Sequence, residues 1–426
     1  MTLVRFARRL AAAAAMLSTL SACTLSVGPE PTRPALAATF TPRPAEAAAT
    51  GRVAGVPDFT CRNPRPPSAG FGYGIQTQWG VGEVAYWNNV IAHKLTLNWV
   101  KAQVRWREFE PAPGVYSEAL FARLDLWLDD ANDRGLNILL SVVDAPAFYR
   151  STADPAHPEQ LGPPDDVREA VRFFQLLARR YRGCIQAIEV WNESNLTREW
   201  TTAQTLARGG PDAAEFGRFL QVIGPAIEAI DPKILIVAGG LSPTGVNGPG
   251  ARDDQLYLRE LVASGGLSAV DCIGAHLNGF NVPPDKRAED GFNDPSARFR
   301  GPFENPHPSW YFRSTLEAYA QITQMPLCVT EFGWPSMEGL GVAGAPPGFE
   351  FALDNSEAEQ AAWIVAGFER MHDSGAVRFA IVFNLDYLVK SGQRPDADSA
   401  APYSLLRPGG IPRKAMDAVE ALPKRP

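Results

Sequence analysis

A short apolar segment, a loop and an amphipathic helix recur from Phe71 to the end of the chain, and this repeat most constrains the fold. Eight segments have the apolar, β-branched character of buried parallel strands. They are FGYGIQT from Phe71, WVKAQV from Trp99, NILLSVV from Asn137, IQAIEVW from Ile185, ILIVAG from Ile234, VDCIGAH from Val270, LCVT from Leu327 and VRFAIVF from Val377. Amphipathic helices are predicted between them, for example at 119–134, 167–182, 213–230 and 357–374, and a last helix near 414–422. Eight alternating strand and helix units within about 350 residues predict an α/β fold, a closed (β/α)8 or TIM barrel.

The composition fits a large globular domain and argues against one class of partner. The chain has 426 residues with 45% hydrophobic content, which is enough apolar material for a sizeable core. Its formal net charge is −7, and no cluster of Lys and Arg suggests a phosphate-binding face. Nucleic acid is therefore not an expected partner, and an acidic polymer is not favoured either. We expect a monomer.

The first residues predict export and lipid attachment. Three arginines within the first nine positions precede an apolar run at 10–20, which is too short for a membrane span but typical of a signal peptide. The sequence LSAC, ending at Cys23, resembles the bacterial lipobox, where a signal peptidase cuts and the new N-terminal Cys is lipidated. We therefore expect a lipoprotein signal peptide at 1–22 and a location at the bacterial cell envelope or cell surface. Membrane contact would be through this lipid only, and secretion after ordinary cleavage is the alternative.

A tether and a folded domain are predicted after Cys23. Residues 23–66 are rich in Pro, Ala and Thr with little apolar periodicity, which indicates an extended tether, and residues 67–426 form the predicted barrel domain. Four further cysteines are widely spaced without a CxxC motif, so metal binding by them is not predicted. They are Cys61, Cys184, Cys272 and Cys328. Disulfides and buried free thiols both remain open, and the sequence does not reveal the pairing.

Two glutamates stand where predicted strands end. Glu193 follows the fourth strand in VWNESN, and Glu331 follows the seventh in LCVTEFGW. An isolated Asn-Glu pair would ordinarily mark the start of a polar loop. In a (β/α)8 barrel, however, all strand C-termini surround one mouth, so these carboxylates face a shared centre. Retaining glycoside hydrolysis requires such a pair about 5–5.5 Å apart, one acid protonating the leaving oxygen while the other attacks the anomeric carbon.

The segments VWNESN and TEFGW resemble those of clan A glycoside hydrolases, most closely family 39 and the cellulase-like family 5. The resemblance covers nearly all of residues 71–422. It implies a glycosidase that cleaves O-glycosidic, β-linked bonds of an oligo- or polysaccharide. Glu193 would be the acid/base, protonated at the start of the reaction, and Glu331 the ionised nucleophile. Asn192 would bind the 2-hydroxyl of the sugar.

Five other residues are predicted at the site with weaker support. HLNGF resembles a His-Pro-Tyr-Gly segment of the same families, which makes His276 a candidate. Lys101 stands where relatives usually carry Arg, and Asn278 where they often carry Tyr. The Arg and Tyr normally support the nucleophile, so these departures leave the surroundings of the nucleophile open. Trp334 is the best candidate for stacking on a sugar, and Trp191 is a second; core packing is the alternative for both.

Carboxylate chemistry on an acetal requires no metal and no cofactor, and neither is predicted. The five histidines show no metal-binding spacing such as HExxH. The GxGxxG match at 339–344 directly follows no strand and leads into APPG instead of a helix, so it lacks the context of a dinucleotide site. The alternative function is a carbohydrate-binding surface lipoprotein that has lost turnover, which the departures at Lys101 and Asn278 suggest.

Replacing the lipid acceptor tests the predicted location. In the variant Cys23→Ala, the protein should leave the membrane fraction, because one processed N-terminal Cys carries the whole anchor. Mass spectrometry of the mature protein should show a lipidated Cys23 in the wild type. An unmodified Cys23, or an uncleaved N-terminus, would contradict the prediction.

Overall fold

Eight parallel strands close into a single barrel in the computed structural model, which describes residues 58–426. The strands are β1 (Gly72–Gln76), β2 (Trp99–Arg105), β3 (Asn137–Val143), β4 (Ala187–Val190), β5 (Leu235–Leu241), β6 (Cys272–Asn278), β7 (Leu327–Gly333) and β8 (Val377–Val382). Each strand pairs with its neighbours in sequence, and β8 pairs with β1. The (β/α)8 prediction is confirmed, and every predicted strand overlaps an observed one. Cys23, the signal peptide and residues 23–57 of the tether lie outside the described residues.

Helices surround the barrel on its outer side. They are α1 (Val84–Asn89), α2 (Glu118–Asp133), α3 (Val167–Arg180), α4 (Ala213–Glu228), α5 (Asp254–Ala263), α6 (Phe312–Thr323), α7 (Glu357–Ser374) and α8 (Lys414–Ala421), with shorter helical turns in the loops. Helix α7 begins with a capping box, in which Ser356 and Glu359 each accept a hydrogen bond from the other's backbone N–H. None of the helices in residues 58–426 combines the length and apolar character needed to cross a bilayer.

An apolar layer fills the N-terminal half of the barrel. Its members are buried side chains that point inward from β2 to β8, namely Trp99, Leu139, Ala187, Leu235, Val237, Cys272, Cys328, Phe379 and Ile381. The rings of Trp99 and Phe379 stack with centroids 4.5 Å apart. Strand β1 contributes Gly72 and Gly74, where a Cβ would overlap these rings and Ile381. The layer closes this end of the barrel, so a ligand has access only from the opposite end.

A polar layer lies directly above the apolar one. On four strands, the next inward residue is polar and fully buried: Lys101, Ser141, Glu189 and Thr330 follow Trp99, Leu139, Ala187 and Cys328 by two positions. Every second side chain along a strand points into the barrel, so residues two positions further along neighbouring strands together form the next layer. Here that next layer is polar. This polar layer forms the floor of the barrel mouth.

Residues 58–66 lie against the outside of the barrel. Cys61 forms a disulfide with Cys184, the ring of Phe59 packs edge-on against Tyr181 with centroids 5.1 Å apart, and the Arg65 N–H donates to the carbonyl of Gly183. The boundary near residue 66 remains a prediction, but this end of the expected tether contacts the domain. The remaining cysteines, at 272 and 328, form a second disulfide between β6 and β7. The four cysteines whose state the sequence left open are thus paired as Cys61–Cys184 and Cys272–Cys328.

Removing the first disulfide should destabilise the domain measurably. The variant Cys61→Ser/Cys184→Ser loses a cross-link between residues 123 positions apart, which should lower the free energy of unfolding by about 2–4 kcal/mol. Urea unfolding followed by circular dichroism measures the difference. The variant has no Cys61–Cys184 disulfide to reduce, so dithiothreitol should cause no loss of its stability through this bond. Equal stability of variant and oxidised wild type would contradict the prediction.

Candidate active site

The structure brings Glu193, Glu331 and His276 together at the C-terminal mouth of the barrel. Glu193 lies three residues beyond β4, Glu331 lies within β7, and His276 lies on β6. His276 Nδ1 is 3.0 Å from Glu193 Oε1 and 3.7 Å from Glu331 Oε2. The imidazole is buried, whereas the Glu193 and Glu331 side chains are 13% and 10% exposed. One ring nitrogen therefore lies between two carboxylates that open toward the mouth.

A sharp turn after β4 directs the Glu193 side chain into the mouth. Trp191 and Glu193 adopt left-handed backbone conformations with φ of 72° and 43°, which cost about 1–3 kcal/mol each for residues other than glycine. The turn is held by the Glu193 N–H, which donates to Gly240 O at 2.8 Å, and by the Trp191 indole, which donates to Glu199 O at 2.8 Å. Trp191 is only 1% exposed and packs against Trp200, so it supports the turn and has no face for a sugar.

Glu331 is positioned by an irregularity in its strand and by Lys101. The pairing of β7 with β8 shifts register between Val329 and Phe332, and such irregularities re-aim side chains at barrel rims. Lys101 Nζ lies 3.2 Å from Glu331 Oε1 and 3.0 Å from Glu189 Oε2. Lys101 therefore contacts the candidate nucleophile from the position where the resemblance expects an Arg.

Lys101 and Glu189 form an ion pair beneath the site, with both side chains fully buried. Burial alone would lower the pKa of Lys101, but the charges of Glu189 and Glu331 outweigh it and raise that pKa. Burial would raise the pKa of Glu189, but Lys101, with help from His276, lowers it instead. Both groups are therefore charged. Sequence reasoning missed Glu189, although a carboxylate at an inward position of an otherwise apolar strand was an available signal.

His276 Nδ1 and Glu193 Oε1 lie within hydrogen-bond distance, and the pKa directions of the two groups favour the proton on the imidazole. Burial lowers the pKa of His276, but Glu331 and Glu193 outweigh it and raise that pKa. Burial would raise the pKa of Glu193, but His276 and Arg198 together hold it well below its ordinary value. His276 is buried and Arg198 is mostly exposed, and both favour the ionised form of Glu193. The expectation that Glu193 is protonated at the start of the reaction stays a prediction.

Two amide side chains at the mouth have unused acceptors. Asn192 is 8% exposed, and its Oδ1 has no hydrogen-bond partner among residues 58–426; the same holds for Asn278 Oδ1. Tyr387, which is half-buried, and Tyr403, which is buried, were not singled out by the sequence and lie near enough to feel the charge of Glu331. Burial and the charge of Glu331 help to raise the pKa of both phenols. All four residues are candidates for contact with sugar hydroxyls.

Trp334 does not lie at the surface of the mouth. Its side chain is fully buried, its indole N–H donates to Val282 O at 2.9 Å, and its ring packs on Phe312 with centroids 5.2 Å apart. The indole therefore has no exposed face on which a sugar could stack. In the described part of the chain, no group of three or more His, Cys, Asp or Glu side chains is arranged to hold a metal ion.

The fold is similar to those of several solved glycosidases. A family 39 glycoside hydrolase from the gut symbiont Bacteroides cellulosilyticus WH2 aligns with a TM-score of 0.56 and 17% identity, over 86% of this chain and 65% of its own. An exo-β-1,4-mannosidase from Opitutaceae bacterium strain TAV5 aligns with a TM-score of 0.53 and 15% identity, over 85% of this chain and 61% of its own. A monomeric β-xylosidase from Caulobacter crescentus CB15 aligns with a TM-score of 0.53 and 18% identity, over 85% of this chain and 70% of its own.

These similarities confirm the expected resemblance to clan A glycoside hydrolases at the level of the fold. The chain spans 65% and 61% of the lengths of the first two proteins. No protein-family model matches the sequence, and a search of curated proteins returns no match.

Removing the buried cation should destabilise the barrel. Lys101→Met leaves Glu189 and Glu331 without their counter-charge, and the free energy of unfolding should fall by about 3–5 kcal/mol. Lys101→Met/Glu189→Gln should recover part of this loss, because one of the two uncompensated charges is removed. Chemical unfolding at pH 7 measures both, and Lys94→Met, at a half-exposed Lys paired with Glu420, is the control, with an expected change below about 1 kcal/mol.

The loss of unfolding free energy in Lys101→Met should depend on pH. The pKa of Glu189 is lowered in the fold, so its pairing with Lys101 stabilises the wild type above the ordinary carboxyl pKa of about 4.3 and is lost as pH falls through the lowered value. The difference between wild type and variant should therefore shrink at acidic pH. A deficit equal to that of Lys94→Met at pH 7 would contradict the buried ion pair.

Proposed function

We propose that the protein is a retaining glycoside hydrolase that cleaves β-linked O-glycosidic bonds by double displacement, with Glu331 as nucleophile and Glu193 as acid/base. The observation that carries the proposal is the shared imidazole nitrogen, which lies within 3.7 Å of an oxygen of each acid. Two carboxylates that both approach one nitrogen lie close together. This favours the retaining spacing of about 5–5.5 Å over the inverting spacing of about 6.5–9.5 Å.

Lys101 and His276 prepare Glu331 for attack. Lys101 holds Oε1, while Oε2 faces the buried imidazole. A carboxylate held at Oε1, with a cation facing Oε2, approaches the anomeric carbon in a restricted orientation. The bond from Glu331 to the anomeric carbon forms as the bond to the leaving oxygen breaks, which gives a glycosyl-enzyme.

The leaving oxygen needs a proton, and the His276–Glu193 hydrogen bond supplies it. In the proposed resting state the proton is on His276 Nδ1, which lies 3.0 Å from Glu193 Oε1. Movement along this bond gives a neutral imidazole and a protonated Glu193 without any change in total charge. Glu193 then protonates the leaving oxygen, and in the second step it accepts a proton from the water that releases the sugar from Glu331.

The substrate class follows from the site and from the similar proteins. Asn192 is proposed to bind the sugar 2-hydroxyl through its unpartnered amide oxygen. Two of the similar structures are described as an exo-β-1,4-mannosidase and a β-xylosidase, which supports a β-linked oligo- or polysaccharide as substrate. Attachment to the bacterial cell surface through a lipid on Cys23 is part of the proposal.

One observation bears on the alternative of an inactive carbohydrate-binding protein. That alternative was suggested in part by Lys101 in place of an Arg. Because Lys101 contacts Glu331 Oε1 at 3.2 Å, the charge that supports a nucleophile is present, which favours the enzyme. The departure at Asn278 does not distinguish the two functions.

Removing each acid should impair the reaction in a different way. Glu331→Ala should abolish the glycosyl-enzyme and reduce kcat by at least about 10³-fold, because the nucleophile is lost. Glu193→Ala should still form the intermediate from aryl glycosides with good leaving groups, which need little protonation, and then accumulate it. Added azide should restore turnover of Glu193→Ala and give a β-glycosyl azide, because azide attacks without a base.

Proton NMR of the first-formed product from wild type on aryl β-glycosides measures the stereochemistry, and mass spectrometry detects the glycosyl-enzyme. Retention is expected. An inverted product, or near-normal turnover by Glu331→Ala, would refute the assignment. Binding of glycans without hydrolysis by the wild type would favour the carbohydrate-binding alternative.

A further inference from the structure

A row of groups with alternating charge extends through the site and beyond it. In order, the groups are Glu189, Lys101, Glu331, His276, Glu193, Arg198 and Glu199, and successive contacts measure 3.0, 3.2, 3.7, 3.0, 3.3 and 3.4 Å. The proposed mechanism uses the groups from Lys101 to Glu193. Of the three remaining groups, Glu189 pairs with Lys101 beneath the site, whereas Arg198 and Glu199, on the loop after β4, have no role in the mechanism.

Arg198 is placed between two carboxylates. Its Nη2 is 3.3 Å from Glu193 Oε2, and its Nε is 3.4 Å from Glu199 Oε1. His276 contacts the other oxygen of Glu193, Oε1. Each oxygen of the acid/base therefore has its own cationic partner, and one of these cations is shared with Glu199.

Glu199 is fixed near Glu193 by the backbone. Its carbonyl accepts the indole N–H of Trp191, two residues before Glu193 in the same turn. The Glu199 side chain is 17% exposed, whereas that of Arg198 is 62% exposed. The two carboxylates therefore keep their separation while the guanidinium between them has room to move.

Several charges surround Glu199. Burial raises its pKa, to about 7, with a further contribution from the charge of Glu193; Arg198 and Arg105 act in the opposite direction, and Asp144 adds to the increase. Arg105 and Arg107 both contact Asp144, at 3.4 and 2.8 Å, which offsets the Asp144 charge. Within the row, Glu193 and Arg198 are therefore the groups whose charges act on the pKa of Glu199.

We propose that Glu199 is a positioning residue that, through Arg198, keeps the proton affinity of the His276–Glu193 pair high enough for an acid catalyst. The inference rests on the proposed function and deepens it. When Glu199 is ionised, the guanidinium is divided between two carboxylates, and the Glu199 charge repels that of Glu193. Both effects favour the protonated form of Glu193. Without the charge, Arg198 interacts with Glu193 alone and favours its ionised form.

Two neutral variants should move the pH profile in opposite directions. In Glu199→Gln, the alkaline limb of kcat/KM should shift to lower pH by about 0.5–1 unit, because the His276–Glu193 pair loses its shared proton more easily when a nearby negative charge is removed. In Arg198→Gln the alkaline limb should shift to higher pH, because a nearby positive charge is removed. Glu199→Asp and Arg198→Lys keep the charges and should restore the limb toward its wild-type position. A residue with a merely structural role would change stability or KM and leave the limb in place.

Leaving-group dependence provides a second kinetic readout. At a pH above the limb, Glu199→Gln should lose at least about 10-fold more activity on an alkyl β-glycoside than on a dinitrophenyl β-glycoside, because only the alkyl leaving group needs full protonation. Glu199→Asp is the matched control and should show the wild-type ratio.

A titration without substrate separates this inference from the proposed function. In protein labelled with 13C at glutamate carboxyl carbons, the Glu193 signal is assigned through Glu193→Gln. Its alkaline step, which reports loss of the proton from the His276–Glu193 pair, should occur at lower pH in Glu199→Gln and at higher pH in Arg198→Gln. Opposite shifts without hydrolysis of any glycoside would support the coupling and reject the enzyme. Hydrolysis with no shift, or with shifts of the same sign, would overturn the coupling alone. Because Arg198 is mostly exposed, its variant tests the coupling even if Glu199→Gln fails to fold.

Discussion

The ion pair between Lys101 and Glu189 is the constraint on which the rest of the site depends. A cation buried at the centre of a barrel is tolerated only when carboxylates compensate it, and carboxylates at that depth need the cation in turn. Glu331 is the second carboxylate that Lys101 contacts, so the candidate nucleophile is part of the arrangement that makes the polar layer stable. The charge of Glu331 also raises the pKa of His276, the residue that contacts Glu193. Stability and proposed catalysis therefore draw on one set of contacts, and substitutions at this level cannot alter one without the other.

The closure of the lower half of the barrel makes this arrangement possible. Trp99 and Phe379 fill the interior only because Gly72 and Gly74 leave them space, and the resulting apolar layer keeps water from reaching the buried charges from below. Electrostatic interactions in such a water-poor setting are stronger than they would be at a surface. The polar layer thus combines a dry floor with an open mouth, and the two acids lie at the boundary between them.

The fold and the two acids were predictable from the sequence because each depends on local patterns. Strand periodicity and the alternation with helices predicted the barrel, and the strand ends located Glu193 and Glu331. Glu189 was missed because it stands in an apolar strand, and its partner Lys101 lies two strands away, at a register that no local pattern specifies. Trp334 was predicted as a sugar platform from its position after a strand, but its contacts with α6 and the loop after β6 bury it. The surroundings of Glu189 and Trp334 are set by contacts between strands and loops that are distant in sequence. These contacts form only in the closed barrel.

The disulfide between Cys61 and Cys184 also gives the barrel a particular response to mechanical force. Cys184 lies three residues before β4, the strand that leads to Glu193. Tension applied at the N-terminal end of the domain would divide at Cys61, one part following the chain to β1 and the other crossing the disulfide to the base of β4. Two strands on separate sides of the barrel would then share the load, and the strand that leads to the proposed acid/base would resist being drawn out of the sheet. In the proposed attachment to a surface through the N-terminal segment, the attachment point and this strand would be mechanically coupled through one covalent bond.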